Sequence, residues 1–482
     1  MQPRYIALPF VLCIAACTTD DGPSQPSPVA DANEEPNEGG RANDAADARE
    51  SCSPPPDASL CAFKAGALVS ETLGTCAPTG KRIPVEHIIL LMQENRSFDH
   101  YLGHLKGNGQ DDVDVPAEGT TNPSADDAGA PVAWHHLDEY CFEDTDHEWE
   151  GSHLEWNQGK NDGFVRANVL AADGGIDISG SRAMGYYDQR DIPFYYQLAS
   201  TFSISDTYFC ELLGPTFPNR LYYLASSSFG LVANRFDQMN RRSIFTVLNE
   251  RQISWKIYLS DVPLGFVLHA FSSESQVPNA GLDGSAADKL APISQFAVDA
   301  AAGTLPQVAW VDPQFITGRA TQTSEHPPGD IQVGQKFVYD QVHALLNSPS
   351  WSSSVMFITY DEHGGIFDHV APPKACAPDD IPPETGAQLG GFDQYGFRVP
   401  VYVVSPFAKR HFVSHVTHSH SSILRFLEAK FDLPALSNRD ANSDAMFDMF
   451  DFDNPPFATA PTLDEPAVDT AHLDACKTKF GP

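Results

Sequence analysis

Basic residues are scarce. The 482-residue chain carries 30 Lys and Arg against 64 Asp and Glu, a formal charge of −34. A surface that negative repels a phosphate backbone, which excludes a nucleic-acid binder. It leaves a small phosphate-ester substrate open, because one local cationic centre overrides the global field. The chain lacks any Cys-x-x-Cys pair, so nothing suggests a zinc knot. It lacks internal repeats and, beyond its first residues, any apolar run of membrane-spanning length. What it has is 42% hydrophobic and 11% aromatic residues, enough for one large core or two smaller ones.

Residues 1–16 read as an export signal: Arg4 supplies positive charge, and Tyr5 to Ala16 is apolar but too short to cross a bilayer. The run ends in Ile14-Ala15-Ala16-Cys17, which predicts cleavage before Cys17 and lipidation of its thiol. The product is then a cell-envelope lipoprotein, in the outer membrane or periplasm, held to the membrane by an N-terminal lipid. The alternative is an ordinary secretory peptide and a secreted protein. Residues 18–59 are rich in Pro, Gly, Ser, Asn, Asp and Glu and cannot bury enough surface to offset their ordering entropy. The expected organisation is a signal at 1–16, a lipidation site and disordered linker at 17–80, a folded domain at 81–452 and a C-terminal tail at 453–482. An acidic stretch near 110–131 reads as a surface loop. With Cys13 removed and Cys17 acylated, seven Cys remain; scattered Cys in an exported chain read as disulfides, and an odd count leaves one thiol over. Cys210, in an apolar stretch, is the candidate for a buried free thiol.

Four apolar runs have strand character: Val85–Met92, Pro306–Val311, Val355–Tyr360 and Val399–Val404. Runs of this kind suit strands buried on both faces. Helical patterns lie between them, notably Ile331–Leu346 and Ser421–Phe431. The alternation predicts a layered α/β fold with a largely parallel central sheet flanked by helices. Each run ends in polar residues, where sites in such sheets lie.

Two of those ends are rich in oxygen. Glu94-Asn95 follows the first run and Asp361-Glu362 the third, and a pair of such clusters makes two half-sites for a hard cation. The plainer readings are a capped helix start for the first and a solvated Gly-Gly turn for the second. Gly214-Pro215-Thr216-Phe217-Pro218-Asn219-Arg220 opens a helix with Thr216 in the N-cap place. The same geometry suits delivery of a phosphoryl group to a Thr216 hydroxyl activated by a metal. Histidines crowd these segments at His147, His153, His326, His418 and His420.

Taken in order, Glu94 to Gly103, the 214–220 segment, Val311-Asp312-Pro313, Glu325-His326-Pro327-Pro328, Tyr360 to Gly365, Ile423 to Glu428 and Asn438 to Ala441 resemble the bacterial phospholipase C and acid phosphatase family. The resemblance covers about residues 83–452 and makes the 81–452 domain catalytic. It implies an alkaline-phosphatase-like fold and a divalent ion held by Glu94, Asn95, Asp361 and Glu362, with Thr216 as the nucleophile bridging to it. It also implies His147, His326 and His420 at the phosphoryl group or leaving oxygen, with His153 a weaker candidate. The reaction implied is attack by Thr216 on phosphorus, then hydrolysis of the phosphothreonine by metal-activated water. The oxygen-rich set favours Mg²⁺, Ca²⁺ or Mn²⁺, with Zn²⁺ also open. One departure touches His420: the family commonly has Asp before this His, and here it is Ser419. The substrate is a phosphodiester such as a phospholipid head-group linkage, slightly favoured, or a phosphomonoester; a surface lipoprotein that only binds is the reading from another class. Trp134, Trp149, Trp156, Tyr186 and Tyr187 serve packing or cage a choline ammonium.

Overall fold

The computed structural model describes residues 61–126, 129–170, 179–235, 241–261, 289–386 and 388–482. The expected signal, Cys17 and the linker up to residue 60 lie outside the described residues. The central sheet has eight strands: β1 His87–Gln93, β2 Ser203–Ser205, β3 Trp255–Leu259, β4 Leu290–Pro292, β5 Val308–Asp312, β6 Ser354–Tyr360, β7 Val401–Val404 and β8 Phe412–Ser414. Their order is β8-β2-β7-β6-β1-β5-β3-β4. All neighbours run parallel except the two pairs made by β7. The layered α/β fold with a largely parallel sheet is therefore observed.

The apolar runs are continuous because both sheet faces are covered. Along a strand, side chains alternate between faces. Phe357 of β6 meets Phe426 of the helix His420–Phe431, with ring centroids 5.2 Å apart. Tyr360, three residues on and so on the other face, meets Tyr195 of the helix Pro193–Thr201 at 6.4 Å. The helix Ile331–Leu346 starts where the Asp330 side chain accepts the Gln332 N–H at 2.8 Å, a conventional N-cap. It buries Ile331, Val338, Val342 and Leu345, the spacing of one helix face.

The direction of β7 corrects one expectation. Because β7 is antiparallel to β6, with Val401 opposite Thr359 and Val404 opposite Met356, its carboxyl end faces away from those of β1 and β6. Ser405 accordingly bonds the carbonyl of Ser354, at the start of β6, at 2.8 Å. The polar residues after Val404 belong to the far end of the sheet.

The linker and tail boundaries are also corrected. Residues 61–80 are folded onto the domain: Cys61 is bonded to Cys376, Val69 is buried, and Gly66 and Ala67 exchange backbone hydrogen bonds with Ala435 at 2.8 and 3.1 Å. Cys76 is disulfide-bonded as well. In the tail, Phe457 is buried and the helix Thr470–Phe480 is tied by Cys476 to Cys141. Covalent links and backbone pairing thus add to the burial of Val69 and Phe457 in holding both segments on the domain. Cys210 is the free, buried thiol.

Below the site, Arg398 is buried between Asp99 and Asp368 at 2.7 and 2.9 Å, and His369 pairs with Asp99 at 2.7 Å. Burial alone would lower the His369 pKa, but Asp99 overrides it and raises it to about 9. A folded-state pKa above the unfolded value of about 6.5 stabilises fully below that pH, and the contribution is lost as pH rises through about 9. His369→Gln is expected to cost about 3 kcal/mol near pH 6, and urea unfolding at pH 10 should show that difference gone.

Candidate active site

β1 and β6 are adjacent and parallel, with Gln93 opposite Tyr360. The two oxygen clusters therefore leave the sheet side by side, and the Asp361 N–H bonds the Gln93 carbonyl at 3.2 Å. Glu94, Asn95, Asp361 and Glu362 are all buried. Two glycines allow the approach. A Cβ at Gly364 would sit 2.2 Å from the Asn95 carbonyl oxygen, and one at Gly365 would sit 2.3 Å from that of Asp146. Both have φ of +67°, a region glycine enters without strain. The Gly-Gly pair is thus a buried seat for two loops, not a solvated turn.

The donor set fits a hard cation. The Asn95 Oδ1 and the Glu362 Oε1 are buried without a hydrogen-bond partner, and such oxygens are costly unless something positive meets them. Three buried carboxylates outnumber the Arg220 guanidinium beside them, an excess of acidic groups that a divalent ion would offset. Burial raises the Glu94 pKa, Arg220 opposes that, and Asp361 adds to it. Burial likewise raises that of Glu362, against His147 and reinforced by Asp361. Histidine and acidic groups that could hold a metal lie next to them: ligand atoms of Asp144, His147 and His326 fall within 4.8 Å of one another.

His147 donates Nδ1–H to the Thr145 carbonyl at 2.7 Å, leaving Nε2 3.9 Å from the Glu362 Oε1. Burial would lower its pKa, but Glu362 and Asp144 outweigh burial and carry it to about 10. His326 lies 5.7 Å from His147, ring to ring, with its Nε2 3.7 Å from Asp144. These two histidines are brought to the cluster. His420 is placed differently: Nε2–H donates to the Asp361 carbonyl at 2.8 Å and Nδ1 faces the Tyr208 hydroxyl at 2.9 Å. With both nitrogens engaged, His420 holds the Asp361 backbone and keeps no nitrogen for a phosphoryl group. The Tyr208 hydroxyl orients it in place of an Asp at 419. His153 donates to the Trp149 carbonyl of its own helix at 2.6 Å and stacks on Trp149.

Thr216 is the first residue of the helix Thr216–Ala225, and the N-cap is Pro215, which lends no side-chain bond. The N-cap expectation for Thr216 is corrected by one position, since the extended φ/ψ of the cap falls on the proline. Asn219 fixes the approach to it. Its buried amide accepts from the N–H of Glu211 and Leu212 at 2.8 and 3.1 Å and donates to the Gly214 and Pro215 carbonyls at 2.8 and 3.1 Å.

Sequence reasoning passed over Glu325, whose buried carboxylate accepts hydroxyls from Tyr101 at 2.6 Å, Tyr360 at 2.9 Å and Tyr195. This cage anchors the loop that presents His326. It also passed over Glu155, which accepts His363 Nε2–H at 2.7 Å behind Glu362. The aromatic residues pack: Trp134 stacks on His104 at 4.8 Å and against Tyr186 at 4.3 Å, while Trp149 and Tyr187 are buried.

The chain is 33% identical over 454 residues to phospholipase C B of Mycobacterium tuberculosis, covering 84% of this chain and 85% of that protein. It is 32% identical over 420 residues to a non-hemolytic phospholipase C of Burkholderia pseudomallei, covering 73% and 56%. A lipoteichoic acid synthase structure from Listeria monocytogenes overlays with a TM-score of 0.37 at 8% identity, over 80% of this chain and 82% of that one, an overlap that carries no argument. The sequence model of the Phosphoesterase family matches residues 85–434. The chain belongs to the Phosphoesterase family and is a hydrolase of phosphoric ester bonds.

Proposed function

We propose that the chain is a phospholipase C-type phosphodiesterase that works through Thr216. The observation that carries this is the convergence of two buried oxygen clusters, with unpartnered Asn95 and Glu362 oxygens, beside the helix that Thr216 opens. The Thr216 oxygen forms a bond to phosphorus while the bond to the leaving alcohol oxygen breaks. With a diester substrate the phosphothreonine keeps the head group as its second ester, and water then cleaves the threonine–phosphorus link and releases the head-group phosphate. His326 and His147 are the groups we assign to proton transfer to the leaving oxygen and to the negative phosphoryl oxygens, which need donors and cations. Glu94, Asn95, Asp361, Glu362 and the Thr216 hydroxyl are the residues that would hold a divalent ion, Mg²⁺, Ca²⁺ or Mn²⁺ before Zn²⁺. When bound, that ion supplies the charge that lowers the hydroxyl pKa and offsets the transferring group.

The diester preference is supported by relatives named phospholipase C. Export, with a lipid anchor on Cys17, belongs to the same proposal. Among the described residues no helix is long and apolar enough to cross a membrane. The test compares a chromogenic phosphorylcholine diester with a chromogenic phosphate monoester from acidic to alkaline pH. Faster turnover of the diester is expected. A monoester preference moves the assignment to a phosphatase, and turnover of neither leaves a binding protein.

A further inference from the structure

The reading above gives roles to residues that would touch the ion or the ester. It leaves out the buried cation that touches both carboxylate clusters. Arg220 lies one helical turn after Thr216, at the i+4 position that shares its face. Its Nε donates to the Asp361 Oδ2 at 3.0 Å, and its Nη2 donates to the Gln93 carbonyl at 3.2 Å and lies 3.6 Å from the Glu94 Oε1. Phe315 covers the guanidinium face, 4.7 Å from its centroid. The Nη1 is buried and has no hydrogen-bond partner. One rigid fork therefore ties the end of β1, the end of β6 and the helix that begins at Thr216.

We infer that Arg220 is a positioning residue that stands in for part of the missing charge before the ion arrives, holding Glu94 and Asp361 in place and fixing the helix that carries Thr216. The inference rests on the proposed ion site. Its physical basis is charge balance. Glu94, Asp361 and Glu362 are buried together, with Arg220 against the first two and His147 near the third. Without Arg220 the ion-free protein must hold two more of their charges uncompensated than the ion-bound protein does. Unpaired buried charge is what destabilises, so loss of Arg220 falls mainly on the ion-free state. An arginine that only packs would cost both states alike. The fork geometry matters too, because a lysine ammonium is a single point charge and cannot bond Asp361, Gln93 and Glu94 in one plane.

The experiment measures the melting temperature of the full-length protein and of Arg220→Met and Arg220→Lys variants. Each is scanned in chelator and in saturating Mn²⁺, with Mn²⁺ affinity determined in parallel. The expected result is a Mn²⁺-induced rise at least about twofold larger in Arg220→Met than in the wild type, because binding is linked to the state that loses most. Arg220→Lys should fall between them, with lowered turnover from a less well fixed Thr216. An Arg220→Met chain that folds only with Mn²⁺ supports the inference equally. If that chain never folds, the Lys variant decides. A Mn²⁺-induced rise equal to the wild type in the variants that fold overturns the role. Absence of any Mn²⁺ response in the wild type overturns both this inference and the ion site beneath it.

Discussion

Thr216→Ala should lose several orders of magnitude in turnover while the fold stays intact. In the proposed mechanism the hydroxyl oxygen is the atom that bonds phosphorus, and alanine has none, so the covalent route closes. The structural cost is small, because the hydroxyl caps no backbone N–H and the N-cap is Pro215. What alanine gives up is one buried methyl, about 1 kcal/mol. Thr216→Ser keeps the oxygen and should retain measurable activity. Turnover quenched in acid should leave the phosphoryl group on the peptide spanning Gly214–Arg220, still carrying its head group when the substrate is a diester, read by mass spectrometry. A fully active, natively folded Thr216→Ala would send the search for the nucleophile elsewhere.

Asp361→Asn has the second largest expected effect. The Asp361 Oδ1 accepts the Glu362 N–H at 2.9 Å and its Oδ2 takes Arg220, so both oxygens are placed by the chain itself. Asparagine preserves the shape and removes one of three negative charges that attract a cation. Mn²⁺ affinity should fall by about 100-fold or more, given that even residues behind a metal ligand change affinity by about 10- to 100-fold. Turnover should fall with it and recover in part at high Mn²⁺. Exhaustive chelation of the wild type should abolish hydrolysis, and a divalent ion should restore it. Full activity of a demonstrably metal-free preparation would remove the ion from the mechanism.

The sheet was legible because its central strands bury both faces and so appear as unbroken apolar runs; β1, β5 and β6 each lie within two residues of the runs that predict them. The helix Ile331–Leu346 was equally plain, since a regular apolar stripe and an Asp cap mark its start. Short strands such as Ser203–Ser205 and Phe412–Ser414 carry too few residues to show a period. The direction of β7 depends on its partner and is written nowhere in its own residues. The four acidic and amide residues Glu94, Asn95, Asp361 and Glu362 stood out because oxygen-rich side chains directly after apolar strands need a reason to be there. Arg220, Asn219 and Glu325 did not, because they act through partners such as Asp361, 141 residues from Arg220, and Tyr195, 130 from Glu325, or through backbone groups that no side-chain pattern marks. The partners of His420 were equally hidden: its position fits the family pattern, and the Tyr208 hydroxyl and the Asp361 carbonyl engage its two nitrogens.

The two described disulfides join residues 315 and 335 positions apart. A ribosome or a translocation pore delivers the chain in order, so neither bridge closes until most of the sequence has emerged. Until then Cys61 and Cys141 wait as reduced thiols, and the segment at 61–67 has no residue 435 to pair with. Maturation is thus a late, post-delivery event governed by the redox state on the receiving side. An oxidising compartment acts as the final assembly step, and a reducing one would keep both clasps of the domain open.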